Sequence, residues 1–447
     1  MQILTEKRKF IKCIPGYAYM EENIKKTIMK YRELVPKSIL KRDLEIPESG
    51  LSKATIIVGP RRAGKTYQLY RMINQAHGKD WVLVNFEDNL LGELHSSDLN
   101  RIPEYSKELF SKDKLVFFFD ELQIVEGWER FVVSLLNEGY NVNITGSNSK
   151  LLSKEIATSL RGKSLSYLLL PFSFSEVLRA KSIALKKGFE HSDQVFEVKR
   201  LFDEYLLYGG FPEVVLSNSA PLKNKLVNNY FDSILYKDLV ERLGIKNIKL
   251  VEITMKYMLN LFGNTFSVTA FERYLKTNKI PYSLEDLYRI IKSIEDVFMA
   301  CYVREFSKSF KKSEFSRSKV YLFDTGYIHF LAREAEDYGR ILENLVFIEL
   351  FRREGEVENK GIFYYKSKKG EECDFIISKK GNAVSAIQVT YLLEEKNRKR
   401  EIGGLLSAME FFSLEEGLII TRDQEEQFEV GGKKVRVVPA WKWLLGS

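Results

Sequence analysis

Hydrophobic positions recur with two different periods along the chain, and the change of period divides it. Between residues 50 and 171 they gather into short β-branched or aromatic runs: Ala54–Val58, Trp81–Phe86, Lys114–Phe119, Val142–Gly146 and Leu165–Leu170, the last ending at Pro171. Helical stretches alternate with these runs, as at Tyr67–Ala76, so the segment predicts a parallel α/β sheet. Beyond Pro171 the spacing turns helical over Phe174–Leu185, Val195–Tyr208 and Asn224–Leu243, broken at Gly209-Gly210-Phe211-Pro212, which reads as a structural joint. Glu252–Phe262, Thr269–Lys276 and Ser283–Met299, with a strand at Tyr302–Phe306, give three helices and a strand, the order of a winged helix. Ser283-Leu-Glu-Asp286 resembles a capping box, and Leu287, Ile290, Ile291, Ile294, Val297 and Phe298 follow at helical spacing. A helix at Glu343–Arg353 and strands at Ile362–Lys366, Glu372–Ile377 and Ala386–Thr390 form a last group. With a helical lead at Glu21–Leu34, the expected parts are 1–50, 51–172, 173–244, 245–330 and 331–447.

Composition narrows the class. A chain of 447 residues with 45% hydrophobic and 29% charged positions, 10 Pro and 27 Gly, is globular throughout and long enough for several cores. Lysine and arginine (69) exceed the acids (61), and the net charge of +8 permits an anionic partner without demanding one. Cys13, Cys301 and Cys373 are far apart and only four histidines are present, which excludes a disulfide framework and a Cys/His zinc site and implies a reducing compartment. No apolar run approaches the roughly 20 residues of a membrane span, and the start MQILTEKRKF lacks a signal-peptide core. The expectation is a soluble cytoplasmic protein with no membrane partner.

The sharpest motif follows the first strand. Gly59-Pro60-Arg61-Arg62-Ala63-Gly64-Lys65-Thr66 stands between a strand and a helix, the setting of a P-loop. Its glycines let backbone N–H groups face a phosphate chain, Lys65 supplies a cation to the β/γ-phosphates, and the Thr66 hydroxyl suits Mg²⁺. The Lys114–Phe119 strand ends in Asp120 and Glu121. Asp120 is placed to complete the Mg²⁺ shell, and Glu121 to orient and polarise an attacking water. Thr145-Gly146-Ser147-Asn148 closes the next strand, making Ser147 and Asn148 candidate contacts to the terminal phosphate; the same residues also suit a plain turn.

The order P-loop strand, second strand, Asp-Glu strand, Thr-Gly-Ser strand and fifth strand is similar to that of AAA-type ATPases. The set GPRRAGKT, FFFDELQ, NITGSNSKLLS, SLRGK, PFSFSEVL and YGGFPEVV resembles a prokaryotic ATPase family of bacteria and archaea with a nuclease-like C-terminal domain. The resemblance spans about residues 35 to 430. It implies an α/β fold: an AAA-like P-loop parallel sheet with a helical lid over the nucleotide, then a winged helix and a nuclease-like α/β domain. The implied activity is hydrolysis of ATP with Mg²⁺. In such proteins the Arg-Gly pair after the sensor strand, here Arg161-Gly162, is a candidate arginine finger, acting in cis or in trans within a homo-oligomer. Lys163 follows where the family commonly has arginine, and it keeps the charge without the bidentate fork. A solvated surface arginine is the other reading of Arg161.

Two further features bear on output. Lys308, Lys311, Lys312, Arg317 and Lys319 surround one acid, Glu314, and alternate with Phe306, Phe310 and Phe315. That suits DNA phosphates with base stacking, and equally a solvated hairpin loop. In the C-terminal part, Asp374 matches the first acid of restriction-endonuclease-like enzymes and Glu343 an upstream helix acid. Gln388-Val389-Thr390 stands where Glu-x-Lys is expected, which removes one charged metal ligand and the lysine, so nuclease activity is not expected. Lys396, Arg398, Lys399 and Arg400 open the next helix as candidate phosphate contacts, or partial replacements for that lysine. Two outputs follow: a nucleic-acid-associated ATPase driving a basic C-terminal half, or a regulatory NTPase switch acting on a protein partner.

Overall fold

The computed structural model describes residues 15–47, 52–76, 80–92, 94–112, 114–152, 154–307, 318–331, 337–354 and 361–446. The chain forms two compact units, one of Met1–Gly59 with Gly64–Leu169 and one of Pro60–Ala63 with Leu170–Ser447.

The first unit is built on five parallel strands: β1 (Ala54–Val58), β2 (Asp80–Asn85), β3 (Leu115–Asp120), β4 (Asn141–Gly146) and β5 (Ser164–Leu168), in the order β2-β3-β4-β1-β5. Every residue of β1 and β3 is buried, which is why both read as unbroken apolar runs rather than alternating ones. Phe117 and Phe119 stack at 5.6 Å, and Phe119 meets Phe131 of helix Trp128–Asn137. The lead helix, Pro15–Leu34, packs beside β2, where the Arg32 guanidinium lies 5.1 Å from the Trp81 ring and 4.3 Å from that of Phe110.

In the second unit, helices Phe174–Ala180, Gln194–Tyr208 and Ala220–Ser233 come first, and the last runs on into a π-helical segment, Ile234–Glu241. Ser173 caps the first of them, accepting from the Glu176 N–H while the Glu176 carboxylate accepts from Ser173 N. The Gly-Gly-Phe-Pro break is tightly held. Gly209 has φ +75° and a Cβ there would lie 1.8 Å from Asp324 Oδ1, while Asp324 accepts from the N–H of Gly210 (2.8 Å) and Gly326 (2.9 Å).

Helices Ile248–Asn260, Val268–Thr277 and Leu284–Asp296 surround a small antiparallel sheet of β6 (Thr265–Phe266), β7 (Ala300–Arg304) and β8 (Ser318–Leu322), ordered β6-β8-β7. Ser283 caps its helix by accepting from the Asp286 N–H, one of the two bonds of the capping box that the sequence pattern predicts. A separate β-rich domain closes the unit: β9 (Ile362–Lys366), β10 (Glu372–Lys379), β11 (Asn382–Val389), β12 (Glu416–Thr421), β13 (Glu426–Val430) and β14 (Lys433–Pro439), ordered β13-β14-β12-β11-β10-β9. The β11-β12-β14 pairs are parallel and the others antiparallel. Helix Glu395–Phe412 lies so close to β10 that a Cβ at Gly404 would meet the Glu372 carbonyl at 2.0 Å. Cys301 and Cys373 are buried thiols that form no disulfide among the described residues, and Cys13 lies outside them.

Candidate functional site

The P-loop leaves β1 at Gly59 and enters helix Lys65–Gln75 through Gly64 at φ +96°. Gly59 is required by space, since a Cβ would lie 1.9 Å from the Leu169 carbonyl oxygen. Lys65 is buried, donating to the Gly59 carbonyl at 3.1 Å with the Glu121 carboxylate at 3.5 Å. Thr66 Oγ1 donates to Asp120 Oδ2 at 2.8 Å. β3 and β1 are separated by β4, so Asp120 reaches Thr66 across the carboxyl ends of the strands.

Thr145, on β4, connects the acids: its hydroxyl donates to Asp120 Oδ1 and accepts from the Glu121 N–H at 3.1 Å. Burial first, and the Glu121 charge second, push the Asp120 carboxyl up to about 6, with the Thr145, Thr66 and Lys65 contacts working the other way. Glu121 adopts φ +56°, a conformation uncommon for a residue with a side chain. Its Oε2 accepts from Gln123 Nε2 at 2.5 Å and from the Ser147 N–H at 3.2 Å. The Ser147 hydroxyl is buried with no hydrogen-bond partner.

Other predicted residues take other places. Asn148 is buried and its Oδ1 accepts from the Lys150 N–H, so it shapes the turn after β4. Arg161 is exposed at φ +55° in the turn after helix Lys154–Ser159, and Lys163 donates to Asn137 Oδ1. Arg61 and Arg62 belong to the second unit, where Arg61 pairs with the buried Asp238 at 2.7 Å and Arg62 lies 3.7 Å from Glu213.

A second cluster lies where β8 meets β10 and helix Tyr338–Glu354. Lys319 Nζ lies 3.0 Å from Glu343 Oε1, 2.9 Å from Glu372 Oε1 and 3.2 Å from Asp374 Oδ1, with its side chain 5% exposed. This corrects the expectation that Lys319 contacts phosphate in a solvated run. It is the second residue of β8, and its pleat turns it inward onto acids of helix Tyr338–Glu354 and β10. Burial works against its charge, yet Glu343 foremost, with Tyr321, Asp374 and Glu372, holds it well above the usual lysine range. Burial and then Glu343 push Asp374 up to about 7. Phe306 is half-buried, its ring packed edge-on 5.5 Å from Phe363 and 4.7 Å from Phe412, so part of the face that a base would stack on is already covered. Lys308, Lys311, Lys312 and Arg317, with Phe310 and Phe315, lie outside the described residues.

Gln388 donates to Glu401 Oε2 at 2.7 Å and accepts from the Asp374 N–H at 3.3 Å, and the Thr390 hydroxyl donates to the Leu392 carbonyl. Arg398 forms a two-pronged, half-exposed pair with Glu426, and Arg400, which pairs with Glu401, is exposed together with Lys396, paired with Glu394, and Lys399.

Sequence reasoning missed Gln123, Thr145 as the link between the acids, Glu372, Glu401 and the inward role of Lys319. For Lys319 a signal existed: it opens Lys-Val-Tyr-Leu-Phe323, a strand pattern rather than a loop.

A five-stranded parallel sheet with a P-loop after β1 and an Asp-Glu pair ending β3 defines an AAA-type P-loop ATPase fold. Residues 51–178 match the family described as AAA domain, and 199–338 and 338–443 match two domain families of unknown function. The chain belongs to the same family as an uncharacterized protein of Methanocaldococcus jannaschii, 38% identical over 413 residues that cover 91% of each chain. An uncharacterized protein of Haemophilus influenzae is 29% identical over 87% of this chain and 94% of its own. Among solved structures, the Walker-type ATPase of Pyrococcus abyssi aligns with a TM-score of 0.41 at 13% identity, over 63% of this chain and 91% of that one. AMPPCP-bound DnaA of Aquifex aeolicus aligns at 0.29 and 18%, over 59% and 91%. Among the described residues no helix is long and apolar enough to cross a membrane.

Proposed function

We propose that this protein hydrolyses ATP to ADP and phosphate in a Mg²⁺-dependent reaction. The carrying observation is the Thr66–Asp120 hydrogen bond beside buried Lys65, with the Glu121 carboxylate one residue further. One hydroxyl and one carboxylate at hydrogen-bond distance form a hard oxygen pair suited to Mg²⁺, which when bound supplies positive charge against the phosphate oxygens. Lys65 exchanges its Gly59 carbonyl for the β/γ-phosphates. The partnerless Ser147 hydroxyl is a ready donor to a terminal phosphate. Glu121 orients the attacking water and draws its proton, which requires its Oε2 to leave Gln123 and Ser147 N. Arg161, exposed in its turn, neutralises developing charge on a neighbouring copy in a homo-oligomer. The test is steady-state ATP hydrolysis with and without Mg²⁺ over a range of protein concentration. No Mg²⁺-dependent turnover rejects the reading, and a flat specific activity rejects the trans arginine.

For the output, a cytoplasmic regulatory switch acting on a protein partner is favoured over a DNA-driven ATPase. Lys319 is buried among acids and Phe306 packs against Phe363 and Phe412, so two of the groups a nucleic-acid reading would use are committed to partners within the chain, while Arg398 and Arg400 form ion pairs at the surface. Their order of helices and strands still supports a winged helix, and the β-rich domain supports the nuclease-like resemblance; either can mediate packing as well as DNA contact. Adding duplex or single-stranded DNA at low and moderate salt decides the point. Stimulation that fades with salt restores the DNA reading.

A further inference from the structure

We infer that Lys319 of β8 is a resident internal cation, its ammonium filling the acid pocket of Glu343, Glu372 and Asp374 so that the pocket takes no divalent metal. The nuclease-like resemblance implies a metal on Asp374 and Glu343, and the residues present do not fit one. An ammonium has three donors, and those of Lys319 are met by three carboxylates at 2.9 to 3.2 Å. Each carboxylate has a second donor of its own: the Tyr321 hydroxyl on Glu343 (2.6 Å), Lys366 on Glu372 (3.1 Å) and the Val389 N–H on Asp374 (2.9 Å).

Where a further acidic ligand is expected, both ends of the Gln388 amide are already engaged, by Glu401 and by the Asp374 N–H. Lys319 also does not supply the missing catalytic lysine, since a lysine that activates water needs a donor free to reach it. The residue comes from β8, in the small sheet, and the acids from β10 and helix Tyr338–Glu354. The cation therefore closes one sheet onto the other at a point where the sequence pattern of a metallonuclease leaves its metal. Breaking such a pair from one side leaves uncompensated buried charge, so the three acids should be receptive to another cation once the lysine is removed.

The test is Mn²⁺ binding to the nucleotide-free full chain carrying Asp120→Asn, which silences the P-loop carboxylate, read as loss of the free-ion EPR signal. No binding is expected up to about 1 mM, the range of weak carboxylate sites. Adding Lys319→Met should create one site per chain, abolished by a further Asp374→Asn. Mn²⁺ bound to the chain with Lys319 intact and lost with Asp374→Asn overturns the inference, as does a folded Lys319→Met protein that gains no site. If Lys319→Met does not fold, amine acetylation of the wild-type chain decides: Lys319 should be protected at least 100-fold relative to exposed Lys396, and comparable labelling of the two overturns the assignment.

Discussion

The side-chain amide of Gln123 donates to the Glu121 carboxylate at 2.5 Å, two residues along a turn that begins with Glu121 in a left-handed conformation. The acid best placed to handle water is therefore tied to its own chain. That hydrogen bond has to be given up before the oxygen can engage a water, which costs part of the contact. Gln123→Ala should raise basal ATP turnover about two- to tenfold, as expected for freeing a base from one charge-assisted hydrogen bond. Unchanged or lower turnover would show that the amide positions the acid for reaction.

Glu121→Gln should leave nucleotide affinity within about threefold and reduce turnover at least 100-fold, the scale of a lost general base. Fluorescent ATP binding and phosphate release measure the two quantities separately. Retained turnover would reject the role of Glu121.

The Thr145 hydroxyl serves Asp120 and the Glu121 N–H at once, so Thr145→Val keeps the shape of β4 and removes both contacts. The Glu121 N–H then loses its Thr145 acceptor in a buried place, a cost of about 1 to 3 kcal/mol. Turnover should fall about 10- to 100-fold, as when an acid is misplaced by a fraction of an ångström, with a lower Tm. Thr145→Ser should restore most of both, which a purely steric role would not explain.

These residues also show how far sequence carries the reading. The P-loop and the Asp-Glu strand were legible because each requires particular residue types in a particular local setting, and the sheet places Thr66 against Asp120 as that setting implies. Thr145 and Gln123 were not legible as partners of the acids, because a polar residue at a strand end or in a turn looks the same whether it is functional or not. Lys319 was misread for a related reason: a basic run looks the same whether its members face solvent or, as in β8, one of them is turned inward. The distances that pair it with Glu372, Asp374 and Glu343 arise from strand register and helix packing, which neighbouring letters do not encode. β12, β13 and β14 escaped the hydrophobic reading as well, since β13 and β14 alternate with exposed charged residues and look like loops.

Space at the start of the P-loop gives a stability prediction. Gly59→Ala places a methyl 1.9 Å from the Leu169 carbonyl oxygen, and that oxygen belongs to the backbone just after β5, so no side-chain rotation can relieve the contact. The substitution should cost at least about 3 kcal/mol, at the severe end for overpacking, and appear as a lower urea midpoint. Gly162→Ala, at an exposed turn where a Cβ meets nothing within 4 Å, should cost only about 1 kcal/mol for its positive φ.

The Asp324 carboxyl is fully buried at the Gly-Gly-Phe-Pro joint and is pushed up to about 7, chiefly by burial, against the N–H groups of Gly210, Gly326 and Phe211 that favour its ionised form. The sign follows from proton counting. Between the ordinary aspartate value near 3.8 and about 7, the folded chain holds a proton at this site that the unfolded chain has released. Its contribution to stability is therefore greatest below the lower value and is lost as pH rises through the higher one. Asp324→Asn removes that titration while keeping one carbonyl acceptor for the joint. The fall in urea midpoint from pH 5 to pH 8 should be smaller in the variant than in the wild type, whatever the absolute stabilities. Equal falls in the two proteins would mean that Asp324 is already ionised at pH 5, and that the three backbone donors outweigh its burial.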